Sequence, residues 1–478
     1  MSARPGAAAS PQRSTPHETL RLREAIAIIV GIVIGAGIFK APSLVAGFAG
    51  SESWMFAAWI VGGLVSLIGA LCYAELATAY PSAGGDYHFL NRAYGRGVSF
   101  LFAWARLSVI TTGSIALLAF VFGDYTAQLA PLGTGHDAAV YAAAAVVVLT
   151  WVNVRGMRAG ARTQTGLTAL EIAGLGLIIV AGLFLAGNGN AAAPATAAVP
   201  SAGASPGFPP MIGLAMVFVL LTFGGWNEAA YISAELKGEK RNMVRALVWS
   251  IVLITVLYLL VVWAYWHGLG LQGMAKSKAV AADLLKLAFG PVGETLMSVM
   301  VAVAALTSIN ATMIVGARTN YALGRDWPVF GRLGEWDDRR EAPIVALYVQ
   351  SAAALVLVLI GATATLGGGF KAMVEFTAPV FWSFFLLSGI SLFVLRRRDP
   401  DTPRPFKVPG YPVTPLLFCG VCAYMLWSSL SYVYSQELGG LNAAWIGVLV
   451  LAAGGVILAF LPDQRSADPG PLTPARRP

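Results

Sequence analysis

The sequence predicts an all-α integral membrane protein with twelve transmembrane helices. Of its 478 residues, 57% are hydrophobic and only 12% are charged, whereas a soluble domain carries about 25% charged residues. A helix needs about 20 apolar residues to cross a hydrocarbon core of about 30 Å, and apolar stretches of that length recur along the chain. The predicted spans are residues 25–48, 54–79, 97–130, 138–155, 166–187, 210–235, 245–270, 286–322, 342–362, 371–395, 412–435 and 441–461.

The basic residues predict a multi-pass protein of the inner (cytoplasmic) membrane with both termini in the cytoplasm. Lys and Arg accumulate on the cytoplasmic side of membrane proteins. With the N-terminus inside, 26 of the 32 Lys and Arg residues fall on the inner side, and Lys40 and Arg106 lie within spans. Topology thus explains the net charge of +8, which indicates no nucleic-acid partner. The remaining four of the 32 basic residues lie on the outer side of the membrane: Lys276, Lys278, Lys286 and Lys371.

One membrane domain, residues 20–462, is predicted between two short tails. Residues 1–19 are polar and lack the apolar core of a signal peptide, so we expect a disordered cytoplasmic tail there and a second cytoplasmic tail at 463–478. The chain has neither a P-loop nor an H-E-x-x-H motif. We therefore expect no ATP-driven transport, no enzyme activity, no cofactor and no metal site. The cysteines fall inside spans and are expected to be small core residues: Cys72, Cys419 and Cys422.

Two glycine segments interrupt predicted spans near mid-depth, at residues 35–37 (Gly-Ala-Gly) and 224–225 (Gly-Gly). Glycine weakens a helix, and lipid offers no partner for exposed backbone groups. A broken helix has free N–H groups where its second half starts and free C=O groups where its first half ends, which suit an anion and a cation respectively. Two facing breaks therefore predict an α-amino acid ligand in a secondary transporter. The alternative is that these glycines only allow close helix packing.

Five sequence motifs surround and follow these glycine breaks. They read LRLREAIAIIVGIVIGAGIFKAPS at residues 20–43, YAELATAYPSAGGDY at 73–87, LTFGGWNEAAYISAE at 221–235, SINATMIVGARTNYALGRDWP at 308–328 and RPFKVPGYP at 404–412. In this order they resemble the amino acid–polyamine–organocation (APC) superfamily, most closely the L-type amino acid transporters and their bacterial relatives. The resemblance extends from about residue 20 to residue 461.

The resemblance implies a LeuT-like fold of two inverted five-helix repeats, at about residues 24–187 and 210–396, with helices 1 and 6 broken. Helices 11 and 12 follow at about 412–461. The substrate is expected between spans 1, 3, 6, 8 and 10.

Carried onto this sequence, the resemblance also implies where the two charged groups of the substrate bind. The carboxylate would meet the amides of residues 36–38, and the ammonium the carbonyls near Ile34 and those of residues 221–223. Asn227 matches a family asparagine near the amino group, whereas Trp226 either lines the site or packs. The implied substrate-binding residues are Ile34, Gly35, Ala36, Gly37, Ile38, Leu221, Phe223, Gly224, Gly225, Trp226 and Asn227.

Two positions depart from the family pattern. Many relatives have a bulky aromatic residue before the span-6 glycines that covers the substrate, whereas this chain has Leu221 there. Either Phe223 covers the substrate or the side-chain pocket is roomier. In span 5, the family lysine that occupies the place of a sodium ion is replaced by Glu171.

Glu171 is predicted to couple transport to protons. A carboxyl group inside a span is costly when ionised, and burial favours its neutral form, so it suits proton uptake and release. Two alternatives remain open at this point: an ion pair between Glu171 and Arg106, or a sodium site formed by Glu171, Ser308 and span-1 carbonyls. Glu75, at the inner end of span 2, is expected to be structural.

The leading interpretation is a secondary-active transporter of neutral L-amino acids, with proton symport through Glu171. The alternatives are an amino acid exchanger or uniporter, an antiporter of polyamines or cationic amino acids, and a non-transporting amino acid sensor. The lipid bilayer and protons are the other expected partners. Animal L-type relatives join a glycoprotein by a disulfide from the loop after span 3, but residues 131–137 contain no cysteine here, so no such heavy chain is expected.

Overall fold

Helices account for nearly all the regular structure in this computed structural model, whose described residues are 22–81, 85–155, 160–187, 211–227, 241–337, 340, 342–363, 368–431, 437–438 and 441–461. The two predicted tails, 1–19 and 463–478, lie outside these residues. Within them, the strand pairing joins only Glu437–Leu438 to Leu441–Asn442 and a single bridge joins Asp337 to Ala342. This part of the chain is therefore helical, as predicted.

The described part of the chain contains fifteen α-helices, together with 3₁₀ and π-helical segments. The α-helices are α1 Leu22–Val33, α2 Ala41–Ala49, α3 Glu52–Ala79, α4 Gly85–Tyr94, α5 Arg96–Ala105, α6 Thr111–Leu129, α7 Asp137–Arg155, α8 Gly160–Gly187, α9 Ile212–Thr222, α10 Arg241–Lys276, α11 Val280–Asp326, α12 Ile344–Ala362, α13 Gly368–Arg398, α14 Val413–Ser431 and α15 Ala443–Phe460. The other turns are 3₁₀ at Ala36–Phe39 and Pro328–Gly334 and π-helical at Arg106–Ile110.

Eight of the described helices are long and apolar enough to cross a membrane, and three shorter ones are also apolar. Large apolar side chains cover the outside, for example Trp249, Val292 and Phe460, which are 62%, 78% and 84% exposed. Such a surface is stable against lipid and not against water. The chain is therefore a multi-pass membrane protein.

The first predicted span is divided in the structure. α1 ends at Val33, and α2 begins at Ala41 after the 3₁₀ turn. Gly35 between them has an extended backbone, with φ −122° and ψ −174°. The sixth span is interrupted as well, because α9 ends at Thr222 and turn residues 223–225 follow before 3₁₀ geometry begins at Trp226.

The third span is one element with a local irregularity. α5 and α6 run on from each other through the π-helical turn at residues 106–110. Such turns contain one more residue than an α-helical turn and often occur at functional sites. This one places Arg106 and Ile110 on the inside of the bundle, beside Asn227.

Charged groups distinguish the two ends of the helix bundle. We call the end that carries Arg92, Arg396 and Arg404 the basic end, and the end that carries Asp124 and Asp283 the acidic end. Ion pairs and hydrogen bonds join separate helices at both ends.

The buried carboxylate of Glu75 joins several segments at the basic end. Glu75 of α3 is 1% exposed and accepts hydrogen bonds from Arg396 Nε of α13, at 2.7 Å, and from the Val408 amide, at 2.7 Å. Arg404 Nε lies 3.8 Å from the same carboxylate. These contacts join α3, α13 and the segment before α14, so Glu75 occupies a structural position.

A more exposed ion pair, between Arg92 and Asp399, also joins helices at the basic end. Arg92 of α4 donates to Asp399 at 2.8 Å, and the Tyr80 hydroxyl donates to the same carboxylate at 3.2 Å. The Arg92 guanidinium lowers the pKa of Asp399 below its ordinary value. α4 is thereby held against the end of α13.

Candidate functional site

The break between α1 and α2 presents backbone donors. In a 3₁₀ helix the first three N–H groups have no partner within the helix. In the turn at Ala36–Phe39 these include the amides of Ala36 and Gly37, and no side chain caps them from Gly35. Ile34, Ala36 and Ile38 are buried, so these residues lie inside the bundle.

The break after α9 presents backbone acceptors. The amides of Phe223 and Gly224 bond to the carbonyls of Val219 and Leu221, each at 3.0 Å, which tightens the end of the helix. Gly225 then takes a φ of +106°, a conformation that is strained for any residue with a Cβ. The Leu221 carbonyl therefore has one internal partner and one remaining lone pair.

The two breaks lie against each other. A Cβ on Gly37 would come within 3.6 Å of the Thr222 side chain. The hydroxyl of Tyr258 in α10 lies 3.0 Å from the Val33 carbonyl oxygen and 3.3 Å from that of Thr222. Tyr258 thus contacts the last residue of α1 and the last residue of α9.

Sequence reasoning missed Tyr258. The available signal was one phenolic hydroxyl in the middle of the largely apolar run SIVLITVLYLLVV at residues 250–262. Tyrosine is common in membrane helices, so its presence alone does not identify a partner. Only the fold shows that both carbonyls are within its reach.

Glu171 of α8 lies next to the first break. It is 3% exposed, and its hydrogen-bond partner is the hydroxyl of Ser308 in α11. A Cβ on Gly35 would lie 3.9 Å from Ser308 Oγ. The structure therefore brings Glu171, Ser308 and Gly35 together.

Arg106 does not pair with Glu171 in the described part of the chain. It lines a cavity of about 40 Å³ with Asp86, Asn227, Ser388 and several phenylalanines. Asp86 accepts hydrogen bonds there from Tyr73, at 2.6 Å, and from Ser388, at 2.8 Å. A space of this size holds a few water molecules and is too small for an amino acid.

The aromatic residues near the second break are packed. The Phe223 ring lies 6.1 Å from Trp59 and 5.1 Å from Tyr258, between α3 and α10. The Trp226 ring lies 5.1 Å from Tyr73 and 5.7 Å from Phe385.

Leu221 is half-buried, and Asn227 is buried at the cavity beside Arg106. The rings of Trp226 and Phe223 both pack against other aromatic groups in this conformation.

Lys40 closes the first break toward the acidic end. Its ammonium lies 2.6 Å from Asp124 Oδ2 of α6 and also donates to the Lys278 carbonyl. The next residue of α6, Tyr125, donates to the Phe39 carbonyl at 2.7 Å. We call these contacts the Lys40 closure. The sequence placed Lys40 within a span but gave no indication of its partner.

Metal-ligating side chains do not cluster in the described ranges, where no group of three or more His, Cys, Asp or Glu could hold a metal ion. The breaks therefore present backbone amides, backbone carbonyls, hydroxyls and one buried carboxyl group. This chemistry suits a ligand with an anionic and a cationic group.

Comparison with known proteins agrees with this chemistry. Residues 20–453 match the protein family described as amino acid permease. The chain is 31% identical to the rabbit (Oryctolagus cuniculus) large neutral amino acids transporter small subunit 2, covering 85% of this chain and 75% of that protein. It is 29% identical to the rabbit b(0,+)-type amino acid transporter 1, covering 83% and 80%.

A third relative is the mouse (Mus musculus) Asc-type amino acid transporter 1, at 29% identity over 93% of this chain and 81% of that protein. These relatives are mammalian, although the motifs also predicted bacterial ones. All three are amino acid transporters rather than enzymes. The chain belongs to the amino acid permease family.

Proposed function

We propose that this protein is a secondary-active transporter that moves L-amino acids, chiefly neutral ones, across the cytoplasmic membrane by alternating access. One observation carries the proposal: the interrupted helices meet, with the amides of residues 36–38 in one break and the carbonyls of Val33 and Thr222 sharing Tyr258. Amides suit the carboxylate and carbonyls suit the ammonium of an amino acid. Membership of the permease family supports the same ligand.

The proposed transport domain comprises residues 20–462, with twelve spans, inverted repeats at about 24–187 and 210–396, and both termini in the cytoplasm. The basic end would then face the cytoplasm and the acidic end the outside, in agreement with the positive-inside rule. The Lys40 closure would block the route from outside to the breaks.

Neutral substrates are favoured by the charges near Asn227. Asp86 lines the adjacent cavity, which alone would suit a cationic side chain, but Arg106 lines it too. The remaining lining is largely aromatic, from Phe102, Phe381 and other phenylalanines. One relative is named for large neutral amino acids, which agrees with this choice.

Proton coupling through Glu171 is the second part of the proposal. Within the described part of the chain, this buried carboxyl group interacts with the Ser308 hydroxyl and with no cation that would stabilise its ionised form. Ser308 lies next to Gly35, so a change in the protonation of Glu171 would act close to the first break. Exchange or uniport remains the competing mode of transport, and we propose function without a disulfide-linked heavy chain.

The decisive experiment is uptake of a panel of labelled amino acids into proteoliposomes, with and without an imposed pH gradient. We expect saturable uptake of neutral amino acids that increases when the outside is acidic. Stimulation by unlabelled substrate inside without any effect of the gradient would indicate exchange. Binding without flux would indicate a sensor, and the absence of both would overturn the proposal.

A further inference from the structure

The cavity beside Asn227 is lined by both charged and aromatic side chains. Its volume is about 40 Å³. Asp86 and Arg106 are only 3% and 8% exposed, so an acidic and a basic group share one small space inside the bundle. Much of the remaining lining is aromatic, from Phe102, Phe381 and two further phenylalanines. A group that fills this space therefore has to suit an anion and a cation at once.

The cavity adjoins the second break. Asn227 lines it and follows Gly225 by two residues. The ring of Trp226, between these two residues, packs on Phe385 of the cavity wall, with ring centroids 5.7 Å apart. The π-helical turn of the third span contributes Arg106 to the same lining. The cavity thus lies where the sixth span continues beyond its glycines.

The two charged groups keep hydrogen-bonding capacity for a ligand. Asp86 accepts bonds from Tyr73 and Ser388 at its Oδ1 atom, at 2.6 Å and 2.8 Å, and a carboxylate has about four acceptor positions on its two oxygens. A guanidinium carries five N–H donors, so Arg106 can bind a carbonyl oxygen in addition to its other contacts. The cavity therefore offers donors and acceptors together.

We infer that this cavity is the subsite for a terminal carboxamide, which makes amino acids with an amide side chain, glutamine in particular, preferred substrates. The inference rests on the proposed function, in which the amino acid binds at the breaks and its side chain extends past Asn227. The carboxamide oxygen accepts from Arg106, and the NH₂ group donates to Asp86. A carboxamide has three non-hydrogen atoms, which suits a space that holds a few water molecules.

Side chains of other chemistry suit only part of this lining. A carboxylate is attracted by Arg106 and repelled by Asp86, and an ammonium group meets the reverse. A hydrocarbon displaces water from both charges without replacing its hydrogen bonds, which lowers affinity. An uncharged group with an acceptor oxygen and N–H donors satisfies both charges, so the carboxamide is selected.

The test compares three ligands with the same number of side-chain atoms. These are L-glutamine, L-glutamate and L-homoleucine, which ends in an isopropyl group. Inhibition constants are measured against proteoliposome uptake of the labelled neutral amino acid that is transported fastest. Ligand-induced shifts of the melting temperature measure binding without transport. In the wild type we expect glutamine to bind at least about tenfold more tightly than either analogue, in the range of one hydrogen bond to a charged group.

Two substitutions should change this selectivity in different directions. Asp86→Asn removes the repulsion of a carboxylate and leaves Arg106, so glutamate should gain about tenfold relative to glutamine. Arg106→Gln removes the repulsion of an ammonium group and leaves Asp86, so L-ornithine should gain relative to glutamine while glutamate does not. If Arg106→Gln fails to fold, Arg106→Lys keeps the charge without the planar fork. It should lose part of the preference for glutamine over homoleucine and still exclude ornithine.

Arg155 provides the matched control for the loss of one basic group. It is exposed at the end of α7, and its guanidinium lies 3.7 Å from the centre of the Trp151 ring, away from the cavity lining. Arg155→Gln should leave the ratios among all four ligands unchanged. Asp399→Asn is the corresponding control for the acidic group and should leave them unchanged as well.

Several outcomes would overturn the inference. Equal affinity for glutamine and homoleucine in the wild type would mean that the cavity holds only water. An equal loss of affinity for all ligands in Asp86→Asn and Arg106→Gln would assign both residues to the fold alone. If the wild type transports other neutral amino acids and gives glutamine no advantage, this inference fails and the proposed function stands. If it binds no amino acid, the proposed function fails as well.

Discussion

Gly225 has a φ of +106°, which makes it the residue with the strictest backbone requirement in the second break. A Cβ at this φ introduces strain of about 1–3 kcal/mol. We expect Gly225→Ala to shift the turn after α9 and to lower the uptake rate at least about tenfold, with little loss of folded protein. Proteoliposome uptake and size-exclusion chromatography measure the two effects.

Gly176 of α8 is the control for this substitution. A Cβ there meets nothing within 4 Å, and the residue is exposed on an apolar helix. Gly176→Ala should transport like the wild type. Equal activity of both variants would show that the turn at Gly225 tolerates a side chain and does not need its observed shape.

Glu171 should be required for the effect of a pH gradient on uptake. Glutamine keeps the shape and a hydrogen bond to Ser308 but cannot bind and release a proton. In Glu171→Gln we expect the same uptake with and without an imposed pH gradient. Exchange of labelled for unlabelled substrate should continue. Radiolabel flux in both modes measures the difference.

Glu294→Gln, at the acidic end, is the control because that carboxylate pairs with Lys286 at 2.9 Å, away from the breaks. It should keep gradient-driven uptake. Full gradient-driven uptake in Glu171→Gln would rule out Glu171 as the coupling group.

The sequence could predict several residues of the candidate site because their chemistry lies in the backbone. Glycines 35, 37 and 225 stand out in an apolar run, and the helices do end beside them. Tyr258 could not be found in this way, since its role depends on two carbonyls that are 225 and 36 residues away in the chain. Hydrogen bonds over such distances are set by the fold alone.

At the scale of elements, α2 is the part that must move for the breaks to open toward the acidic end. The Lys40 closure joins its first turn to α6. Loss of the ion pair leaves Asp124 without its cation, so Lys40→Met should favour separation of α2 from α6. We expect a cysteine placed at Leu221 to react several-fold faster with a membrane-impermeant thiol reagent added outside.

The background for this labelling should lack Cys72, Cys419 and Cys422. The double variant Lys40→Asp with Asp124→Lys provides the control, because it restores the pair with reversed charges. It should return the labelling rate toward the wild-type value. Unchanged labelling in Lys40→Met would mean that the ion pair does not hold α2 in place.

Helix positions were predictable from hydropathy and the two breaks from their glycines, whereas the other helix irregularities were not. The apolar stretch predicted as span 8, residues 286–322, lies within the longer helix α11, which kinks at Gly290, where φ is +70°. The π-helical turn in the third span has no composition signal, because its five residues read RLSVI.

At the scale of the whole molecule, Glu75 holds together the basic end. Removing one partner of a buried ion pair costs about 3–5 kcal/mol, and less where the partner is partly exposed, as Arg396 is. We expect Glu75→Gln to lower the melting temperature and the folded yield clearly. Glu52→Gln, at the exposed start of the same helix, should change both only slightly. Equal melting temperatures would mean that the pair does not stabilise the bundle.

The pair between Arg92 and Asp399 should behave differently. Because it is exposed, it contributes about 0–1 kcal/mol. The lowered pKa of Asp399 means that this contribution is complete above the ordinary value of 3.8 and is lost as the pH falls through the lowered one. The small difference in melting temperature between wild type and Asp399→Asn should therefore be constant from pH 5 to pH 8. A difference that grows within this range would contradict the assignment.

The π-helical turn at Arg106–Ile110 also fixes the rotational phase of the helix that follows it. Each α-helical residue advances the helix by about 100°, so one extra residue turns all of α6 by that angle relative to α5. Asp124 and Tyr125 face Lys40 and Phe39 in this phase. A chain shortened by one residue here would keep nearly the same composition and span length but would direct both side chains elsewhere.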